Sequence, residues 1–387
     1  MARPLRGPHP ALPLPGDRPI FPRVNEFDAM GRAIQLAWRG WGRVAPNPLV
    51  GAVLLQGDTI IAEGYHAEFG DLHAELAALR VAGERARGAT LVVTLEPCNH
   101  LGKQPPCAPA LVSAGVRRVV AALADPNPEA DGGLERLAEA GVAVELGLRA
   151  DEVRAQNAIF LHRWRGLARP FVALKLATTL DGRIADPSGR SRWISGEAAR
   201  DFVHWLRAGF DAIGVGGFTA RTDDAALTVR GEVQPRKPPL RVVFDRMGEL
   251  PQSLTLVRTA RDLPTVLVTQ ALAPPHRLAQ LEDAGVIVHR VKSLADGLGV
   301  LYRSGIGSIL IEGGGRLAGA LLASGLVDRY YWIQSPVWVG DEGVPAVSGL
   351  PGVSLVEAER WRVVDRRALG EDTLLVVDRE AGCSPAS

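Results

Sequence analysis

His73-Ala74-Glu75 begins a set of zinc-type ligands that Pro97-Cys98 and Cys107 complete further along the chain. Histidine nitrogen and cysteine sulfur bind zinc, and a site with three protein ligands keeps a fourth position open for water. Bound Zn²⁺ lowers the pKa of that water from about 15.7 to about 7, which makes hydroxide available at neutral pH. We therefore predict a zinc site with His73, Cys98 and Cys107 as ligands and Glu75 as the proton shuttle.

The order of these residues is typical of zinc deaminases that act on amino-substituted rings, whose signature is His-x-Glu followed by Pro-Cys. His73 alone, beside an apolar helix, would more often be a core residue, but Glu75 and two cysteines at predicted element ends favour the metal. The general signature has two residues between its cysteines, whereas eight separate Cys98 from Cys107. The insert, 99–106, contains glycine and prolines and is predicted to return Cys107 to the metal while forming a pocket wall.

Three loop residues near this motif have alternative interpretations. Asn47 lies between Pro46 and Pro48, which fix an extended loop; it either caps a rigid turn or hydrogen-bonds a ring or sugar near the metal. His100 as a fourth ligand would close the site, so we interpret it as a substrate contact or loop anchor. Lys103 either meets a phosphate or faces solvent.

The composition indicates a globular chain of 387 residues, for which two domains are expected. A net charge of +1 and 5% aromatic residues give no basis for nucleic-acid or membrane binding. Three cysteines exclude a disulfide scaffold and favour a reducing compartment. Neither a secretory signal nor an apolar run of about 18 residues is found, so we predict a cytoplasmic protein.

Alternating helix and strand patterns predict an α/β architecture in both halves. A break at 166–170 places a boundary near 168, giving a disordered, proline-rich extension at 1–24 and domains at 25–168 and 169–387. In the first domain, helices are predicted at 28–38, 74–81, 108–114, 134–140 and 151–164, and strands at 50–55, 59–62, 91–95, 116–122 and 142–145.

The second half contains a buried strand, 309–312, that runs into Gly313-Gly314-Gly315 and a helix at 316–324. Glycines let a backbone approach a phosphate, and a helix N-terminus offers free N–H groups. The pattern is neither Gly-x-Gly-x-x-Gly nor a P-loop, and a turn required for packing is the alternative. Arginines, whose fork fits a phosphate, occur in further polar segments at 191–195 and 219–230.

Together these segments resemble the bifunctional riboflavin-biosynthesis deaminase/reductase family over roughly residues 27–378. The long spacing between Cys98 and Cys107 separates that family from general cytidine deaminases. The deaminase half is marked by Pro46-Asn47-Pro48, His73-Ala74-Glu75, Glu96-Pro97-Cys98, Pro105-Pro106-Cys107 and Asp125-Pro126-Asn127-Pro128. The reductase half is marked by Lys175-Leu176-Ala177, Leu180-Asp181-Gly182, Trp193-Ile194-Ser195, Leu206-Arg207-Ala208, Leu227-Thr228-x-Arg230 and Glu312-Gly313-Gly314.

The resemblance implies a cytidine-deaminase-like α/β/α domain at 25–168 and a dihydrofolate-reductase-like α/β domain at 169–387. With Zn²⁺, the first would deaminate 2,5-diamino-6-(5-phosphoribosylamino)pyrimidin-4-one. With NADPH, the second would reduce the ribosyl side chain to ribityl phosphate. It also implies a small phosphorylated pyrimidine as partner, neither nucleic acid nor membrane, and a homodimer or higher homo-oligomer.

Site residues of the second half are carried over by position. The nucleotide-contacting positions are Ala177, Trp193, Thr219, Asp223, Gly314, Gly315, Arg316, Leu317, Ala318, Gly319 and Ala320. The substrate-contacting positions are Ser191, Arg207, Leu227, Arg230 and Glu312, to which we add Asn47 of the first half. Arg246 stands where the family often has Ser, and we predict that it contacts the extra phosphate of NADPH. Other departures are Gln104 for Thr, Ala225 for Pro and Arg329 for an acidic residue.

Two other functions are compatible with the zinc motif. A deaminase of another nucleotide-like substrate predicts a basic or aromatic surface, which the composition does not favour. A zinc-stabilised scaffold that has lost catalysis has no need of Glu75 and would more often close with a fourth ligand. The sequence leaves open the proton donor and hydride face of the reduction and any channelling of the intermediate.

Overall fold

A computed structural model describes residues 24–102 and 104–380. These form two compact units, the first ending at Arg165 and the second beginning at Gly166. The predicted extension at 1–24, apart from Val24, and the proposed role of Lys103 lie outside the described residues. The division lies close to the predicted boundary, whose exact limits stay a prediction. Within the described residues, every helix is too short or too polar to cross a bilayer.

The first unit is a five-stranded mixed sheet with the order β2-β1-β3-β4-β5. Its strands are β1 (Gly51–Gln56), β2 (Thr59–Tyr65), β3 (Thr90–Leu95), β4 (Arg118–Leu123) and β5 (Ala143–Leu146). Its helices are α1 (Glu26–Ala37), α2 (Ala74–Ala82), α3 (Cys107–Ser113), α4 (Gly133–Glu139), α5 (Ala150–Gln156) and α6 (Ala158–His162). β1 is antiparallel to β2 and β3, whereas β3, β4 and β5 are parallel.

Two features of this unit position the zinc motif. β3 is buried along its whole length, as expected for a central strand, and it ends directly before Glu96-Pro97-Cys98. Gly64 of β2 lets α2 approach closely, because a Cβ there would lie 2.2 Å from the Ala74 carbonyl oxygen. The packing of α2 and β3 therefore fixes the positions of the two chain segments that carry His73, Glu75 and Cys98.

The single helix predicted at 151–164 is wrong, because the helix breaks at Asn157 between α5 and α6. The buried Asn157 amide donates to the Leu49 carbonyl oxygen at 3.0 Å and accepts from the Leu49 N–H at 2.8 Å. These bonds anchor the loop after Pro48, at the residue whose backbone, with φ −98° and ψ 20°, departs from helical geometry.

The second unit is built on a nine-stranded sheet with the order β11-β10-β9-β8-β12-β6-β13-β16-β15. Its strands are β6 (Phe171–Thr178), β8 (Ala212–Gly216), β9 (Leu240–Phe244), β10 (Thr265–Gln270), β11 (Ile287–Val291), β12 (Ser308–Glu312), β13 (Arg329–Gln334), β15 (Trp361–Leu369) and β16 (Asp372–Arg379). The first seven strands in sheet order are parallel to one another. Beyond β13, β16 and then β15 extend the sheet, each antiparallel to its neighbour. β7 (Arg183–Ala185) and β14 (Val344–Pro345) form a separate antiparallel ribbon.

The helices of this unit are α7 (Glu197–Ala208), α8 (Gly217–Asp223), α9 (Thr255–Arg258), α10 (Pro275–Asp283), α11 (Leu294–Arg303) and α12 (Gly315–Ala323). Because β6, β8, β9 and β12 are parallel, their carboxyl ends lie at one edge of the sheet. The segments that follow them begin at Thr179, Gly217, Asp245 and Gly313, next to the residues predicted to contact a nucleotide. This edge is where ligands bind in open α/β sheets.

Candidate functional site

The three predicted zinc ligands each sit at the end of a helix or strand. His73 directly precedes α2, Cys98 follows β3, and Cys107 is the first residue of α3. Both cysteines are buried free thiols. The predicted eight-residue insert therefore forms the connection from β3 to α3 and returns Cys107 to the metal motif.

The ligand atoms have a spacing that suits one metal ion. Nδ1 of His73 lies 3.4 Å from Sγ of Cys98 and 3.4 Å from Sγ of Cys107, and all three atoms lie within 4.8 Å of one another. Ordinary Zn–N and Zn–S bonds at tetrahedral angles place such atoms about 3.6 Å apart. Over residues 24–102 and 104–380, the cluster contains these three side chains and not His100. The donor set therefore fits zinc with one position left for water.

Glu75 lies beside this cluster in the first turn of α2 and is only 3% exposed. Burial raises the pKa of its carboxyl to about 7, an effect that the charge of His73 opposes. A carboxyl with a pKa near neutrality can both take up and release a proton at working pH. The pKa of the Cys98 thiol is lowered by its hydrogen bond with Cys107 and by His73. A lower pKa favours the thiolate, which is the form that a metal binds.

Asn47 is linked to the metal motif through His66, a residue to which the sequence assigned no role. The Asn47 Nδ2 atom lies 3.1 Å from Nε2 of His66, whose Nδ1 lies 3.0 Å from the Leu72 carbonyl oxygen. The His66 ring also stands edge-on to the His73 ring, with 5.6 Å between centroids. A histidine shortly before the metal motif was the available signal, but its partners are defined only by the fold.

Glu96 joins the loop after β4 to the metal motif. Its buried carboxylate accepts hydrogen bonds from the Leu134 N–H at 2.9 Å and the Asp125 N–H at 3.2 Å. Asn127 makes bonds of ordinary turn chemistry: its N–H donates to Asp125, and its side-chain oxygen accepts from the Glu129 N–H. Glu96 therefore has a structural role at this edge of the site.

Three charged side chains of the second unit meet at the end of β12. The Glu312 carboxylate accepts from Nε of Arg207 at 2.6 Å and from Nη2 at 2.9 Å, while Nη1 donates to the Thr228 carbonyl oxygen at 2.9 Å. Lys175 is paired with Glu312 in the register of β6 and β12. Burial lowers the pKa of Lys175. Burial alone would raise the pKa of Glu312, but Arg207 and Lys175 outweigh this effect, so that the pKa is lowered.

The glycine turn after β12 lies against Thr219 of α8. Gly313 and Gly314 have φ values of 71° and 85°, which other residues rarely adopt. A Cβ on Gly314 would lie 2.9 Å from Oγ1 of Thr219. The fold therefore brings together two segments that were predicted to contact the nucleotide.

The remaining predicted residues of the second unit differ in accessibility. The Leu227 side chain lies in the core and is only 3% exposed. A contact between Leu227 and the substrate would therefore be made by its backbone. Trp193 is 70% exposed, with the Arg200 guanidinium 4.7 Å from its ring centroid. Exposed residues also include Arg230, Arg246, Arg316 and Ala320; partly buried are Ala177, Ser191, Thr219, Asp223, Gly314 and Leu317; buried are Gly315, Ala318 and Gly319.

Comparison with known proteins identifies both halves. Residues 25–123 match the family model of the cytidine and deoxycytidylate deaminase zinc-binding region, and residues 170–375 match that of the RibD C-terminal domain. The riboflavin biosynthesis protein RibD of Escherichia coli K12 is 39% identical over 371 residues, covering 89% of this chain and 97% of the relative. The chain belongs to the RibD family.

Solved RibD structures agree with this assignment along nearly the whole length. The Acinetobacter baumannii RibD structure, form 1, has a TM-score of 0.76 at 37% identity and covers 91% of this chain and 98% of that one. A deaminase/reductase from Thermotoga maritima also has a TM-score of 0.76, at 34% identity, covering 92% and 98%. The predicted fold class, a cytidine-deaminase-like domain followed by a dihydrofolate-reductase-like domain, is confirmed.

Membership of the RibD family also supports both predicted cofactors, Zn²⁺ for the deaminase region and NADPH for the reductase region.

No separate role was predicted for Asp181, which lies in the turn after β6. Its carboxylate accepts from the Thr179 hydroxyl at 2.5 Å and the Gly340 N–H at 2.7 Å. It thus joins that turn to a segment far along the chain, a link that spacing does not reveal.

Proposed function

We propose that this chain catalyses two consecutive steps of riboflavin biosynthesis. The first removes an amino group from 2,5-diamino-6-(5-phosphoribosylamino)pyrimidin-4-one, and the second reduces the ribosyl side chain of the product to ribityl phosphate. The observation that carries the proposal is the His73–Cys98–Cys107 cluster beside buried Glu75, on one chain with a RibD C-terminal domain. The Thermotoga maritima relative is named as a diaminohydroxyphosphoribosylaminopyrimidine deaminase and 5-amino-6-(5-phosphoribosylamino)uracil reductase.

In the deamination, His73, Cys98 and Cys107 would hold zinc, which when bound makes water more acidic. The Glu75 carboxylate takes a proton from the attacking water as the new C–O bond forms. It then gives a proton to the ring amino group, so that the C–N bond breaks and ammonia leaves. Asn47 holds the substrate beside this carboxylate.

In the reduction, NADPH supplies the hydride when bound. The residues proposed to hold the cofactor are Ala177, Trp193, Thr219, Asp223, Arg246 and the turn from Gly314 to Ala320. Ser191, Arg207, Arg230 and Glu312 hold the substrate by side chain, and Leu227 by backbone. Arg207 orients the Glu312 carboxylate through two hydrogen bonds and keeps further N–H groups for an anionic substrate.

One assay tests the sequence of steps. Purified protein is given the diamino precursor with or without NADPH, and the products are identified by mass spectrometry. Without NADPH we expect ammonia and the deaminated ribosyl compound; with NADPH we expect the ribityl compound. NADPH oxidation should follow addition of the deaminated compound and lag behind deamination when the precursor is supplied. Reduction of the diamino precursor itself, or no ammonia release, would contradict the proposal.

We further propose that the chain works in the cytoplasm as a homodimer or higher homo-oligomer. Free thiols at Cys98 and Cys107 are suited to a reducing compartment. Light scattering after size-exclusion chromatography measures the assembly, and a monomeric mass at assay concentration would contradict it. Fractionation of the source cells tests the location.

A further inference from the structure

His66 lies between the loop that carries Asn47 and the zinc-ligand residue His73. It is 3% exposed, and both of its ring nitrogens have partners: the Leu72 carbonyl oxygen at Nδ1 and the Asn47 amide at Nε2. Burial and these two hydrogen bonds together restrain the orientation of the His66 ring. Its edge-on contact with the His73 ring places the His66 ring next to the metal motif.

The chemistry of these partners fixes the direction of each hydrogen bond. A carbonyl oxygen can only accept, so Nδ1 of His66 carries the proton and donates to Leu72. In the neutral ring Nε2 then has a lone pair and can only accept. The Asn47 amide must therefore turn its NH₂ group toward His66, at the 3.1 Å separation observed.

This leaves the carbonyl oxygen of Asn47 for another donor. An amide has one oxygen and one NH₂ group, and in the described chain no residue donates to Oδ1 of Asn47. With the amide in the opposite orientation, the Asn47 oxygen would face the lone pair of Nε2, two acceptors with no proton between them, and the NH₂ group would point away from His66. The ring of His66 thus decides which end of Asn47 a ligand meets.

We propose that His66 is a positioning residue, which holds Asn47 so that its carbonyl oxygen accepts a hydrogen bond from an N–H or O–H group of the substrate. The inference rests on the proposed deaminase function and deepens it: the site favours a donor group on the substrate at this point. His66 acts through Asn47 and takes no part in binding the metal.

Two substitutions separate the nitrogens of His66. Asparagine retains a donor near the place of Nδ1 but loses the acceptor for Asn47, whereas glutamine offers an oxygen near the place of Nε2. For deamination of the diamino precursor by the full-length zinc protein, His66→Asn should lower kcat/KM about tenfold to a hundredfold. His66→Gln should stay within about threefold of the wild type, which is rescue by the variant that keeps the acceptor.

A double-mutant cycle with Asn47→Ala then distinguishes positioning from a general structural role. If His66 acts through Asn47, His66→Asn in the Asn47→Ala background should cost no more than about twofold. Additive losses, equal losses in both His66 variants, or zinc loss in His66→Asn would each overturn the proposal. Zinc content and NADPH oxidation with the deaminated compound are measured on every variant. A wild type that releases no ammonia would refute the deaminase function itself, whereas an active wild type with additive losses refutes only the role of His66.

Discussion

At the scale of single residues, Glu75 is the side chain that we propose as the proton shuttle of the deamination. It is buried beside the metal cluster, and burial raises its pKa to about 7. Glutamine has nearly the same shape but cannot carry the proton. We predict that Glu75→Gln keeps its zinc and loses about 10²–10⁴-fold in kcat, the range for a positioned acid–base group. Ammonia release and metal analysis measure the two quantities.

The matched control for this variant is Glu84→Gln, which changes an exposed carboxylate a short distance further along the chain. It should leave both the zinc content and the rate of ammonia release unchanged. Near-normal turnover in Glu75→Gln, with zinc still bound, would contradict the assigned role.

Arg246 is the residue that we predict to contact the extra phosphate of NADPH. It is exposed directly after Asp245, and its backbone oxygen is held by the Thr269 hydroxyl at 3.0 Å. No hydrogen bond joins its guanidinium to any residue of the described ranges. A guanidinium fork fits a phosphate, so Arg246→Ala should lower the kcat/KM preference for NADPH over NADH about tenfold.

Initial rates with each nucleotide, at fixed deaminated substrate, measure this preference. Arg258→Ala provides a control, because Arg258 is also exposed but lies on α9. An unchanged preference in Arg246→Ala would exclude contact with the extra phosphate.

The grouping of the metal-ligand residues was predictable from sequence because chemistry and spacing restrict it together. His73, Cys98, Cys107 and Glu75 have residue types that are rarely combined for any other purpose, and the three ligands do cluster in the fold. The pairing of Arg207 with Glu312 could not be predicted from the sequence, because the two residues lie 105 positions apart in the chain. Hydrogen-bond partners of this kind are set by the packing of elements and have no signature in local spacing.

At the scale of elements, the contact of α12 with β14 and the segment that follows it explains two glycines. A Cβ on Gly319 would lie 1.9 Å from the Ser348 carbonyl oxygen, and one on Gly315 would lie 2.4 Å from that of Pro345. Both distances are to backbone atoms, which cannot rotate away. Close packing therefore accounts for glycine at these two positions, whereas Gly314 faces Thr219.

We predict that Gly319→Ala lowers the free energy of unfolding by about 1–3 kcal/mol, the usual cost of overpacking. Thermal denaturation measures it, and weaker NADPH binding should accompany it because α12 begins at the turn that we propose to hold the cofactor. Gly352→Ala is the matched control, since a Cβ there would meet no atom within 4 Å. Equal stability of the two variants would show that the backbone at Ser348 yields to the extra methyl group.

Strand pairing also accounts for the buried side chain of Arg329. Arg329 of β13 faces Asp378 of β16 in register, and its guanidinium forms two hydrogen bonds to that carboxylate, at 2.6 and 2.9 Å. The buried charge thus has a partner, as burial requires. Sequence patterns did not predict β13, β15 or β16. β15 contains charged residues and is at most half-buried along most of its length, so its pattern does not resemble that of a core strand.

At the scale of the whole molecule, the predicted α/β architecture follows from features that operate over many residues. Buried strands such as β3 and β12 are rich in apolar residues, and they alternate with helical patterns along the chain. The split at Asn157 was less predictable, because the buried amide there is bonded to Leu49, 108 positions away in the chain. Long, repetitive signals therefore specify the layers, while individual tertiary hydrogen bonds decide where elements stop.

The division into two compact units leads to a prediction about metal removal. All three clustered ligands belong to the first unit, and the described residues of the second contribute none to the cluster. Dialysis of the full chain against a strong zinc chelator should abolish ammonia release from the diamino precursor. NADPH oxidation with the deaminated compound should remain within about twofold of the untreated rate, because its proposed residues make no use of zinc. Restoring zinc should return the first activity, which controls for irreversible damage. Loss of both activities on chelation, with recovery of both on zinc addition, would mean that the reductase unit depends on the metal site for its structure.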